Sequence, residues 1–314
     1  MKQKQFSVSG RAPWLAFALS AALIAALLRW WQLRSAFEPD TGLAVPLAQA
    51  SVILACVLVM AAAWFVILAL YQPVVKRPFH LGQAHRWDQV FLDAGDPVYP
   101  LLVVSAAFLA LAAAPVLLPA GFRLWRTYRA AMAAIAQGLS VQAPSNNGVL
   151  VIATAAGAVL AFLGLLQMGR DGLHPGQRGK GGFSAALPGI AGCIWLMESF
   201  RGHAANPVLW DYAPLLLAIT CGMLFYMDFA GMSAGAARPR RLLWMAAMTL
   251  VLSGPAMVSA AASGSLGDLL LLSAQMLTAA AVLWRLPPNL ERPSKPNRII
   301  RPGKVSIQEE TTDE

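Results

Sequence analysis

Glu198 and Arg201 stand three residues apart, so a helix would set a carboxylate and a guanidinium on one face, within pairing distance. His203 follows, Asn206-Pro207 breaks the chain, and Trp210-Asp211-Tyr212 opens the next apolar run. Asp228 lies near the far end of that run, and Arg29 near the end of the first one. Each charge at mid-bilayer costs about 2.5–3.5 kcal/mol on insertion scales, so ionisable groups in apolar runs are candidates for a polar or transport site. On this ground Glu198, Arg201, His203, Asp211 and Asp228 form the candidate set. All lie close to the ends of apolar runs, where long side chains snorkel cheaply. Glu198 and Arg201 therefore have two readings: an interfacial salt bridge that fixes a hairpin, or contact with a substrate or ion. Asp228 is the odder residue, because a short side chain snorkels poorly.

Other chemistry fails on its own spacing. Gly179-Lys180 sits in a Gly-rich stretch, but His174 stands where a phosphate loop needs its first Gly. Gly181 stands where it needs Ser or Thr for magnesium. His80, His85, His174 and His203 all read as lying in loops, with no HExxH among them and no Cys pair at metal-ligand spacing. There is no GxSxG elbow either. The expectation is a protein with no catalytic set, cofactor site or metal site.

The elements that must position these residues follow from composition. Of 314 residues, 58% are hydrophobic and only 12% charged, against roughly 25% charged in a soluble domain. With a mean hydropathy of +0.58, this excess cannot all be buried in water-soluble cores. A soluble enzyme, a disordered chain and a nucleic-acid-binding domain are excluded. So is a disulfide scaffold, since Cys56, Cys193 and Cys221 all lie in apolar runs.

A spanning helix needs about 20 apolar residues to cross roughly 30 Å of hydrocarbon. Eight stretches qualify, near 13–33, 51–71, 99–118, 148–168, 183–200, 211–231, 242–262 and 267–286. They are continuous rather than alternating, which excludes a barrel. The expected fold is all-α, a polytopic transmembrane helix bundle of about eight spans. The fifth is the weakest, being short and interrupted by Pro188-Gly189; Ser253-Gly254-Pro255 interrupts the seventh. Transporters use such breaks to line binding sites, but a kink packed against neighbours is the plainer reading. Trp14, Trp30, Trp31, Tyr71, Tyr99, Trp210, Tyr212, Trp244 and Trp284 mark the boundaries as interfacial aromatics do.

The first run is too long for a signal core and ends in Arg29-Trp30-Trp31, so it reads as a retained span. With the start placed inside, inner segments hold 18 Lys and Arg and outer ones 5, while Arg29 within a span completes the 24. Both termini should then be cytoplasmic. The dissenting loop runs from Pro119 to Asn147. There Phe122, Trp125, Tyr128, Met132 and Ile135 repeat at helical spacing beside Arg123, Arg126 and Arg129. Either the third span continues as a helix beyond the membrane, or an amphipathic segment meets headgroups or a partner.

Small residues recur every fourth position, as Ala18, Ala22 and Ala26; Ala106, Ala110 and Ala114; and Ala153, Gly157 and Ala161. They allow close helix approach, hence a compact bundle or a homo-oligomer face. Residues 287–314 combine five prolines and basic residues with an acidic end, the composition of a disordered tail. Its basic part would be drawn to anionic lipid, though an orientation anchor explains it as well. The implied partners are the lipid bilayer and other membrane proteins, not nucleic acid.

Gly182-Phe183-Ser184, Pro188-Gly189, Phe200-Arg201-Gly202-His203, Asn206-Pro207-Val208-Leu209 and Asp211-Tyr212 resemble a group of uncharacterised polytopic membrane proteins of Firmicutes. Phe37-Glu38-Pro39-Asp40-Thr41-Gly42 is similar to the same group. The resemblance covers about a fifth of the chain and implies a bacterial plasma-membrane protein of the same build. It carries no activity or ligand. The leading expectation is a non-catalytic, membrane-embedded accessory or structural component. The rival is a small-molecule or ion transporter, with a site near Asp228 and the breaks at Pro188 and Pro255.

Overall fold

A computed structural model describes residues 11–38, 45, 48–72, 97–141, 148–173, 181–203, 209–233 and 238–291. The described residues are all-helical. The eight helices are α1 (Arg11–Ser35), α2 (Gln49–Tyr71), α3 (Val98–Ala136), α4 (Gly148–Leu173), α5 (Gly181–His203), α6 (Leu209–Ser233), α7 (Pro239–Ser263) and α8 (Leu266–Glu291). The tail beyond residue 291 lies outside the described residues, as do His80, His85 and His174.

Among the described residues, seven helices are long and apolar enough to cross a membrane; α5, whose first three side chains lie outside the described residues, is not one of the seven. It is 23 residues long, enough to cross, and carries Pro188, Glu198 and Arg201. Both proline sites lie inside continuous helices, α5 through Pro188 and α7 through Pro255. Neither is an interruption.

The third span does not stop at residue 118. α3 runs 39 residues, about 58 Å at 1.5 Å per residue, nearly twice the hydrocarbon thickness. The loop from Pro119 is therefore largely a continuation of the same helix.

Helices α3 to α8 close a ring in chain order, with α8 packed back on α3; α1 lies outside against α7 and α8, and α2 against α1 and α7. α7 is the most enclosed, with 78% of its apolar window buried, whereas α2 has 17%. Small residues permit the closest contacts. A Cβ on Gly254 of α7 would stand 2.4 Å from the Ala22 carbonyl oxygen of α1, so this crossing is backbone on backbone. Pro188 deprives the Ser184 carbonyl of its intrahelical donor, and Gly164 of α4 lies against that oxygen, where a Cβ would come within 2.4 Å. The Ala18 and Ala22 stripe is buried, as expected, along with Ala106, Ala110, Gly157 and Ala161.

Candidate functional site

The expected Glu198–Arg201 salt bridge does not form. Glu198 is half-buried and faces α8, close enough to Asp268 for the two carboxylates to repel; Arg201 is exposed. Helical spacing leaves the two about 60° apart on one face, but Glu198 is packed toward α8 while Arg201, nearer the end of the helix, is exposed. What fixes this end of α5 is Trp195, one turn earlier, whose indole N–H donates to Asp268 Oδ1 at 2.8 Å. Asp268 in turn accepts from the Ser265 hydroxyl at 2.5 Å, and its backbone N–H donates to the Ser265 oxygen at 3.4 Å. This is an N-terminal cap for α8, formed where Gly264 (φ +71°) ends α7.

His203 closes α5 rather than lying in a loop. Its Nδ1 lies 2.8 Å from the Ser199 carbonyl oxygen, and its ring stacks on Tyr212 of α6 at 5.2 Å and 24°. The contact staples the α5–α6 hairpin. The Asp211 side chain lies outside the described residues.

Asp228, near the end of α6, pairs with Arg241 in the first turn of α7, Oδ2 to Nε at 2.8 Å. The carboxylate side chain is 13% exposed and the guanidinium 42%. A short, largely buried acid is thus met by a long base that reaches water.

Arg29 was expected to snorkel; it is fully buried instead. Its Nε donates to Ser259 Oγ of α7 at 2.9 Å and a terminal nitrogen donates to Gln32 Oε1 at 2.7 Å. The Gln32 amide passes the chain on to Ser51 of α2 at 2.8 Å. Burial of a guanidinium is tolerated only with such partners. The spacing that could have revealed the site is Arg29 and Gln32, three apart on one helical face; its partners are serines remote in sequence.

Inside the ring, near mid-height, lies a cavity of about 40 Å³, room for about three waters. Small residues such as Ala158, Ala191 and Gly192 open it, and Thr154, Tyr226 and Gln275 supply its polar groups. Gln275 donates to the Ala218 carbonyl at 2.8 Å. Pro188 and Trp195 line the cavity; Asp228 and Pro255 do not. The candidate residues whose side chains are described therefore do not converge. Glu198 and His203 belong to one end of the bundle and Asp228 to the other. Among the described residues no group of three or more His, Cys, Asp or Glu side chains could hold a metal ion.

No family model, curated protein or solved structure matches the chain.

Proposed function

We propose that this chain is a non-catalytic accessory or structural component of a bacterial plasma membrane, related to the Firmicutes proteins it resembles. It crosses the bilayer eight times with both termini cytoplasmic. The observation that carries the reading is the Asp228–Arg241 pair. The residue with the best claim to a transport role is neutralised at the mouth of a hairpin, away from the central cavity. The other buried polar groups described above likewise bond from helix to helix. Such a network holds a bundle together and leaves few polar groups for a passenger.

The second reading, a small-molecule or ion transporter, draws on the cavity beside Pro188, the sort of mid-height space that alternating access needs. It loses Asp228 and Pro255 as lining residues. Asp228→Asn separates the two. An accessory bundle keeps its membrane abundance within about two-fold, as expected for a partly exposed pair worth under about 1 kcal/mol, and keeps its co-purifying membrane partners. Loss of solute uptake at unchanged abundance would establish transport instead.

A further inference from the structure

The arginines of α3 lie at a depth that the neighbouring helices fix. Gly148 opens α4 against α3: a Cβ there would stand 2.5 Å from the Trp125 backbone nitrogen. Gly267, near the start of α8, meets Leu117 in the same way, at 2.5 Å from its Cδ2. Both α4 and α8 are long and apolar enough to span, and both begin beside this part of α3. The starts of these two spans therefore lie level with the stretch of α3 between Leu117 and Trp125.

Arg123, Arg126 and Arg129 are exposed at and just beyond that level. Their positions fall within an arc of about 120° on one helical face and span about 9 Å along the axis. A headgroup layer is about 5–8 Å thick. Arg129 lies over the Trp125 ring at 5.2 Å, and Phe122, 40% exposed, sits at the hydrocarbon edge of the same face. α3 has no Asp or Glu in its 39 residues, so nothing on the helix neutralises the three charges. Planar guanidinium groups with several donors match phosphate oxygens.

We infer that this face of α3 binds the headgroups of anionic phospholipids, with Phe122 seated against the upper acyl chains and the three arginines on phosphate. The site is independent of whether the bundle acts as accessory or transporter. It also explains why three basic residues are kept at the end of the bundle opposite Arg170, Arg238, Arg240 and Arg241.

The test is lipid titration of the full-length protein in mild detergent, with bound lipids counted by native mass spectrometry. Each basic residue near an anionic surface contributes roughly five-fold in affinity, so wild type should prefer phosphatidylglycerol to phosphatidylcholine by on the order of 100-fold. The preference should shrink as sodium chloride is raised, a readout that needs no variant to fold. R123Q/R126Q/R129Q should bind both lipids alike, while R238Q/R240Q keeps the preference. Inorganic phosphate should not displace the lipid. A preference that survives the triple substitution, ignores salt, falls equally in both variants or yields to free phosphate overturns the assignment.

Discussion

Trp195 of α5 and Asp268 of α8 meet at 2.8 Å, indole N–H on carboxylate, and so join the α5–α6 hairpin to the turn between α7 and α8. The bond closes one end of the helix ring. Trp195→Phe keeps most of the apolar contact and removes the donor. Interhelical hydrogen bonds in bilayers average about 0.6 kcal/mol and reach about 1.7, so a loss near 1 kcal/mol is expected. Asp268→Ala removes the α8 cap as well and should cost about twice as much. Thermal unfolding in detergent, followed by size-exclusion chromatography, reads both; equal effects would mean that the cap contributes nothing.

Arg29 is a buried cation whose removal leaves Ser259 and Gln32 without their donor. Arg29→Ala is expected to cost 3–5 kcal/mol, enough to empty the folded fraction of a marginally stable bundle. Arg29→Met fills the space without a charge and should recover part of the loss, most fully when combined with Ser259→Ala. Yield of monodisperse protein measures this order. If Arg29→Ala expresses like wild type, the network is dispensable.

The glycines divide sharply. Gly254→Ala would drive a methyl into the Ala22 carbonyl of α1 at 2.4 Å, a backbone contact that cannot rotate away. A loss of about 1–3 kcal/mol is expected, through separation of α1 from α7. At Gly189 the nearest atom to a new Cβ is the flexible Met227 Cε at 3.4 Å, so Gly189→Ala should be nearly neutral. Comparable melting temperatures for the two variants would contradict the α1–α7 crossing.

Whether α5 crosses the bilayer is a question of sidedness. If it does, single cysteines at positions 176 and 206 label from opposite faces, in a background with Cys56, Cys193 and Cys221 replaced by Ala. The position 176 cysteine should react only after permeabilisation and the position 206 cysteine in intact cells. Labelling of both from one side would reduce the count to seven spans.

The helices were legible because hydropathy needs only local sequence, and seven apolar runs became helices that meet the spanning criterion. The end of the third was misplaced, since Pro119 and Arg123 suggest a stop while α4 packed alongside sustains the helix to Ala136. Pairings were less legible. The three-residue spacing of Glu198 and Arg201 says which residues can meet within a helix, and nothing about the neighbour that one of them faces. Asp228 looked stranded because Arg241, its partner, lies beyond the next loop and on another helix. The Ser265-x-x-Asp268 pattern is a cap signature visible in the sequence; its second role, as acceptor for Trp195, is tertiary.

Arg29 and Ser259 are separated by 230 positions. A ribosome adding about 5–20 residues per second needs roughly 10–50 seconds to bridge that interval. Throughout that time the Arg29 guanidinium has Gln32 of its own helix and lacks Ser259. Its bond to Ser259 closes only when α7 arrives, so a helix made early is locked late.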